Sequence, residues 1–107
     1  MTVKRIWHGW TKPGNAEAYR QILHRQVLPG IEAKRIPGYI GLELLSRDLG
    51  HEVEFMTIIT FESLSDVIAF QGEDYARAYI PEAAREVLSR WDEVCLKKTV
   101  PGTHTPV

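Results

Sequence analysis

A chain of 107 residues, 44% hydrophobic and 25% charged, has the makings of one globular domain. Lys and Arg number 13 against 14 Asp and Glu, so the formal charge is −1 and the general basic excess that holds nucleic acid is excluded. One cysteine, Cys95, excludes an intrachain disulfide and a cysteine-based zinc site, and fits a reducing, cytoplasmic setting.

No apolar run approaches the roughly 18–20 residues that span a bilayer, so no membrane partner is expected. Lys4, Arg5 and His8 stand near the start without the apolar stretch of a secretory signal.

Val3–Thr11 reads as a strand, built on Val3, Ile6, Trp7 and Trp10. Lys12-Pro13-Gly14 punctuates it, and Asn15 is placed to cap a helix. Tyr19, Ile22, Leu23, Gln26, Val27, Gly30 and Ile31 then recur at helical spacing. Pro29 predicts a kink or break, with a second helical piece reaching about Arg35. After Pro37-Gly38, the segment Tyr39–Arg47 reads as a second strand and Glu52–Phe61 as a third. The loop between them, Asp48-Leu49-Gly50-His51, offers a glycine for positive φ. Ser63-Leu64-Ser65-Asp66 resembles a capping box and opens a short helix to about Phe70. Gly72 interrupts, and Glu73–Tyr79 predicts another helical turn. Pro81 suits a first helical position, and Ala84, Val87, Leu88 and Trp91 form one helical stripe. Glu93–Val100 alternates as a last strand. Residues 1–100 thus read as one domain and 101–107, PGTHTPV, as a tail.

The order β-α-β-β-α-β predicts an α+β, ferredoxin-like fold with a four-stranded antiparallel sheet and its helices on one side. The sheet is apolar on both faces. Strand three carries Val53, Phe55, Ile59 and Phe61 on one and Met56 and Ile58 on the other. Strand two carries Ile40, Leu42 and Leu44 on one and Tyr39 and Leu45 on the other. Helices cover a single face, so a homodimer through the second face is expected.

Phosphate-binding glycine loops, zinc-protease and nucleophile-elbow motifs are absent. Alternation puts His8 and Trp10 on one face of strand one and Trp7 on the other. One of these faces can wall a pocket for a planar aromatic, with His8 as proton acceptor; the competing reading is core and interface aromatics. Tyr75, Arg77 and Tyr79 can place donors on the pocket rim, or can simply be amphipathic surface residues. His24, His51 and His104 show no ligand spacing with His8, so no metal is expected. Cys95 reads as a buried, inert thiol. Glu52 and Glu54 share a face, as a solvent-facing pair or as paired carboxylates.

The strand–Lys12-Pro13-Gly14–helix step, Pro37-Gly38-Tyr39 before strand two, and Phe61-Glu62-Ser63 before the next helix resemble the antibiotic biosynthesis monooxygenases, a group of dimeric α/β-barrel proteins. The resemblance covers residues 3–100. It implies a homodimer whose sheets pack into a barrel, with a pocket between sheet and helices in each subunit. Its members include cofactor-independent monooxygenases that oxidise quinols or polycyclic phenols with O₂, and haem-degrading enzymes. Two departures count against haem. Histidines that the group often carries fall near Phe70 and Tyr75, and the asparagine of the haem-degrading branch falls near Trp7.

Three readings follow. The first is a cofactor-free monooxygenase acting on a phenolic or quinol-like aromatic, with His8 as proton acceptor, Trp7 or Trp10 as stacking wall, and Tyr75, Arg77 and Tyr79 on the rim. The second is a ligand-binding or sensing dimer, and the third a structural module. Either small-molecule reading requires a helix–sheet cavity, expected at about 300 Å³ or more.

Overall fold

The computed structural model describes residues 2–72, 78 and 80–102. Strand β1 (Thr2–Thr11) is central, with every odd-numbered residue buried and every even-numbered one partly exposed. It pairs antiparallel with β3 (Val53–Phe61), from Val3 opposite Phe61 to Thr11 opposite Val53. β2 (Tyr39–Asp48) forms the hairpin with β3. In its loop Gly50 takes φ 87°, and its N–H donates to Asp48 Oδ1 at 2.8 Å, as the turn chemistry predicts.

A shift of register between Tyr39 and Gly41 corrects the expected faces of β2. The extra residue brings Tyr39 to the helix side with Leu42, and both pack on the core there. Ile40 is left 54% exposed.

The first helical segment begins with a turn at Pro13–Asn15 and helix α1 (Ala16–Ile22). Asn15 stands at the N-cap, but its side chain makes no cap bond; its amide reaches the Val87 carbonyl at 3.4 Å instead. Pro29 does not break the chain into two pieces. A π turn over Leu23–Val27 joins α1 to α2 (Leu28–Ala33), and the Leu28 N–H donates to the Leu23 carbonyl, five residues back. The wider turn accommodates a ring that lacks a donor and crowds the preceding turn.

Helix α3 (Leu64–Gln71) starts at the predicted cap. The Ser63 hydroxyl accepts from the Asp66 N–H at 3.4 Å and donates to Asp66 Oδ2 at 2.8 Å. It stops at Gly72, φ 93°. Of the turn expected over Glu73–Tyr79, only Ala78 is among the described residues; 103–107 of the tail also lie outside them.

The largest correction concerns the end of the chain. Helix α4 (Glu82–Val87) is short, and Leu88–Trp91, read in sequence as its continuation, is strand β4. β4 pairs with Gly9–Thr11 of β1, while β5 (Leu96–Val100) pairs with Thr2–Ile6. The expected four-stranded sheet is therefore five-stranded, its last position shared by two short strands. A ten-residue central strand offers more backbone donors and acceptors than β5 can satisfy, and that demand outweighs the helical stripe.

The fold is α+β, with one antiparallel sheet and its helices on one face. Two apolar clusters fill the layer between. One gathers Trp7, Tyr19, Leu23, Phe55 and Leu88 under α1 and α4. The other gathers Val3, Ile31, Ile59, Phe61 and Phe70 under α2 and α3. No helix of the described residues is long and apolar enough to cross a membrane.

Candidate functional site

The two clusters do not merge. Between them, on the helix-facing side of the sheet, Arg5 of β1 and Thr57 of β3 interrupt the apolar run, and both are buried. A cavity of ≈ 230 Å³ lies over this seam. Trp7 and Ile59 wall it from the sheet, Leu23 and Ile31 from the first helical segment, and Phe70 from α3. Ala78, Ile80, Pro81 and Ala84 line another side, next to residues outside the described set. The cavity is smaller than expected. An apolar cavity of about 150 Å³ takes a benzene ring, so this one, partly open to solvent, has room for one or two rings.

The indole of Trp7 is held in place. Its Nε1–H donates to the Asp92 carbonyl at 2.8 Å, and its ring lies across Gly9, two residues on along the same face. A methyl at Gly9 would stand 2.5 Å from the indole and 3.1 Å from Leu88. Gly9→Ala is therefore expected to lower stability by about 1–3 kcal/mol through overpacking. It should also alter the near-UV circular dichroism; an unchanged urea midpoint and spectrum would contradict this placement.

Asp92 explains the break between β4 and β5. Four residues, Asp92 to Cys95, stand opposite two, Trp7 and His8. The His8 N–H donates to Asp92 Oδ2 at 3.0 Å and its carbonyl accepts the Asp92 N–H at 2.9 Å, so β1 loses no backbone bond there. The same loop brings Cys95 to the cavity wall. Burial pushes its thiol upward, with Arg5 acting in the opposite sense. Burial likewise pushes the Tyr19 phenol well up, so both groups are protonated at neutral pH. Desolvation lowers the Arg5 value, but an arginine stays charged.

Two cations line the cavity. The Arg5 guanidinium lies 5.7 Å from the centre of the Phe70 ring. Lys34 Nζ lies 4.2 Å from the same centre and donates to the Phe70 carbonyl at 2.6 Å. Among the described lining residues there is no Asp or Glu.

The predicted site residues divide. Trp7 is in the cavity wall; Tyr75, Arg77 and Tyr79 lie outside the described residues. His8 and Trp10 share the opposite parity of β1 and project from the open face, as alternation requires. The expectation that His8 takes a proton from a ligand in this cavity is corrected, because the sheet stands between them. His8 Nδ1 is 3.1 Å from Asp92 Oδ2, and its ring stacks on Trp10 at 5.9 Å. Arg90 lies 3.8 Å over the Trp10 ring and pairs with Glu52 at 2.6 Å; Arg47 pairs with Glu54 at 3.0 Å. The two glutamates are thus ion-paired rather than coupled to one another. Among the described residues no group of His, Cys, Asp and Glu could hold a metal ion.

No family model matches the chain, and no curated protein matches it in sequence. Solved structures do. A Bacillus cereus protein named as a candidate antibiotic biosynthesis monooxygenase matches with TM-score 0.71 at 14% identity, over 100% of this chain and 98% of that one. The chain has the fold of the antibiotic biosynthesis monooxygenases. A second member of this fold is the monooxygenase from the ActVA-Orf6 gene of Streptomyces coelicolor, in complex with nanaomycin D. It matches with TM-score 0.65 at 16% identity, over 99% of this chain and 92% of that one. A mutant of MhuD, with two manganese protoporphyrin IX bound per active site, matches at 0.59 and 18%, over 99% and 100%.

Sequence reasoning missed Arg5, Thr57 and Lys34. The signal was present for the first two. Arg5 shares parity with Val3 and Trp7, and Thr57 with Phe55 and Ile59, so each is a polar residue at a core position of a strand. Lys34 carried no such signal, since it stands at the end of a helix where lysine is ordinary.

Proposed function

We propose that the protein is a cofactor-independent monooxygenase that binds a one- or two-ring quinol between its sheet and its helices. The observation that carries this reading is the seam cavity, partly open to solvent and apolar over most of its wall, with Trp7 on one side and two cations at one end. The fold it shares with structures named as monooxygenases supports it. A quinol and O₂ give a hydroxyquinone and water: four electrons leave the ring and four reach oxygen. No external reductant is needed. The protein would orient the ring, hold its anion and exclude water.

The active molecule would be a homodimer joined through the open sheet face. Ile6, Met56, Ile58, Leu45 and Leu96 make an apolar centre there, and Lys4–Glu43, Arg47–Glu54 and Arg90–Glu52 pairs surround it. An apolar centre with a charged rim is the usual anatomy of an interface. Cys95, held as a thiol, supports a reducing cytoplasmic setting.

A second reading, ligand binding without turnover, is favoured by one observation. No described lining residue is a base at neutral pH: Tyr19 and Cys95 are protonated, and Arg5 and Lys34 are cations. Oxygen uptake with one- and two-ring hydroquinones separates the two. Catalysis predicts hydroxyquinone formed one for one with O₂ consumed. Saturable binding of the quinols without O₂ uptake would leave only the second reading.

A further inference from the structure

We propose that the hydroxyls of Tyr19 and Thr57 read the ring oxygen of the ligand and make the cavity selective for a phenol over a hydrocarbon of the same shape. This rests on the reading of the cavity as a ligand pocket and names the residues that decide what it accepts.

Thr57 stands on the buried face of β3, with Phe55 and Ile59 before and after it and Val53 and Phe61 beyond them. It lies directly opposite Trp7 of β1 and Leu44 of β2. Tyr19 comes from α1, with its ring edge-on to Phe55 at 4.8 Å between centroids. Tyr19 is 2% exposed and Thr57 8%, and both line the cavity. Among the described residues neither hydroxyl has a hydrogen-bond partner.

Packing alone calls for neither oxygen. Phenylalanine would keep the edge contact with Phe55, and valine has the shape of threonine. A buried hydroxyl without a partner costs the fold its desolvation and returns nothing. A shared position on one cavity gives the two oxygens a use. They replace, for a bound ring, the hydrogen bonds that its own hydroxyl gives up in water. Each can donate and accept, and a ring hydroxyl does the same. Burial keeps the Tyr19 phenol protonated at neutral pH, so it remains a donor. Trp7, across the strand pair from Thr57, offers the ring an apolar wall beside that hydroxyl. Discrimination follows, because a site built to hydrogen-bond a substrate oxygen rejects the analogue that lacks it. Thr11 is the contrast: its hydroxyl is also buried without a partner, but it is not among the residues that line the cavity.

The experiment compares 2-naphthol with 2-methylnaphthalene, in which a methyl group replaces the hydroxyl, by isothermal titration to the whole chain at neutral pH. A cavity that offers only apolar surface favours the methyl compound, the more hydrophobic of the two. Here the naphthol is expected to bind at least about fivefold tighter, roughly the factor of one satisfied hydrogen bond. Tyr19→Phe combined with Thr57→Val should reverse the order and leave the thermal midpoint equal or higher, since each change removes a buried oxygen without a partner. Thr11→Val, the same change away from the cavity, should keep the wild-type preference. Methylnaphthalene binding the wild type as tightly as naphthol would overturn the inference and leave the pocket reading intact. A preference retained in the double variant would overturn the assignment to these two hydroxyls. A lowered midpoint there would show that the oxygens serve the fold, and would overturn it as well. Failure of both compounds to bind would overturn the pocket reading together with the inference.

Discussion

Ile58→Glu is expected to convert the protein from a dimer to a monomer. Ile58 lies on the open face of β3, between Ile6 of β1 and Glu43 of β2. It points away from the helices, so the substitution leaves the core of the subunit untouched and the far-UV circular dichroism should not change. In a dimer closed through this face, two carboxylates would be buried without partners, each at a cost of several kcal/mol. Association should weaken by at least about 100-fold. Sedimentation at micromolar concentration checks this. A wild-type chain that already sediments as a monomer would remove the proposed dimer, and a dimer that survives in Ile58→Glu would move the interface to another surface.

Phe61→Ala is expected to be the most destabilising single truncation of the core. Phe61 is 0% exposed, and its ring lies 6.2 Å from Tyr39 and 5.4 Å from Phe70. Deleting a buried phenyl group costs about 3–5 kcal/mol, the lost transfer energy plus the cavity left behind. For a domain of this size that is a fall of about 15–30 °C in midpoint. The damage should extend to the ligand cavity, because Phe70 rests on Phe61 and both cations rest on Phe70. A midpoint lowered by less than about 5 °C would show that the helix side of the sheet repacks freely, against the two-cluster description.

Much of the fold was legible in the chain itself. Alternation along β1 and β3 separated Trp7 from His8 and Trp10, and separated Phe55 and Ile59 from Met56 and Ile58, as observed. The Ser63–Asp66 cap and the Gly50 loop were equally readable, since each depends on chemistry within four residues. The misreadings share a cause. Leu88–Trp91 fits a helix by spacing, yet forms a strand because the distant end of β1 needs partners. The face of Tyr39 turned on a one-residue register shift against β3, which no local pattern signals. Pro29 signalled a disruption, but the surrounding packing decided that it would be a π turn rather than a break.

The opening numbers now have a more definite meaning. A hydrophobic share of 44% in 107 residues was enough to require two apolar sheet faces where helices cover one. The sequence by itself determined the first three strands and the helices between and after them, the parity of β1 and β3, and the apolar character of both sheet faces, because these follow from periods of two and 3.6 residues. Only the tertiary structure decided which parity of β1 faces the helices. It thereby placed Trp7 and Arg5 in the cavity and His8 on the other side of the sheet. That choice depends on where α1 and α3 land, and the landing is set by the sum of contacts between segments far apart in the chain.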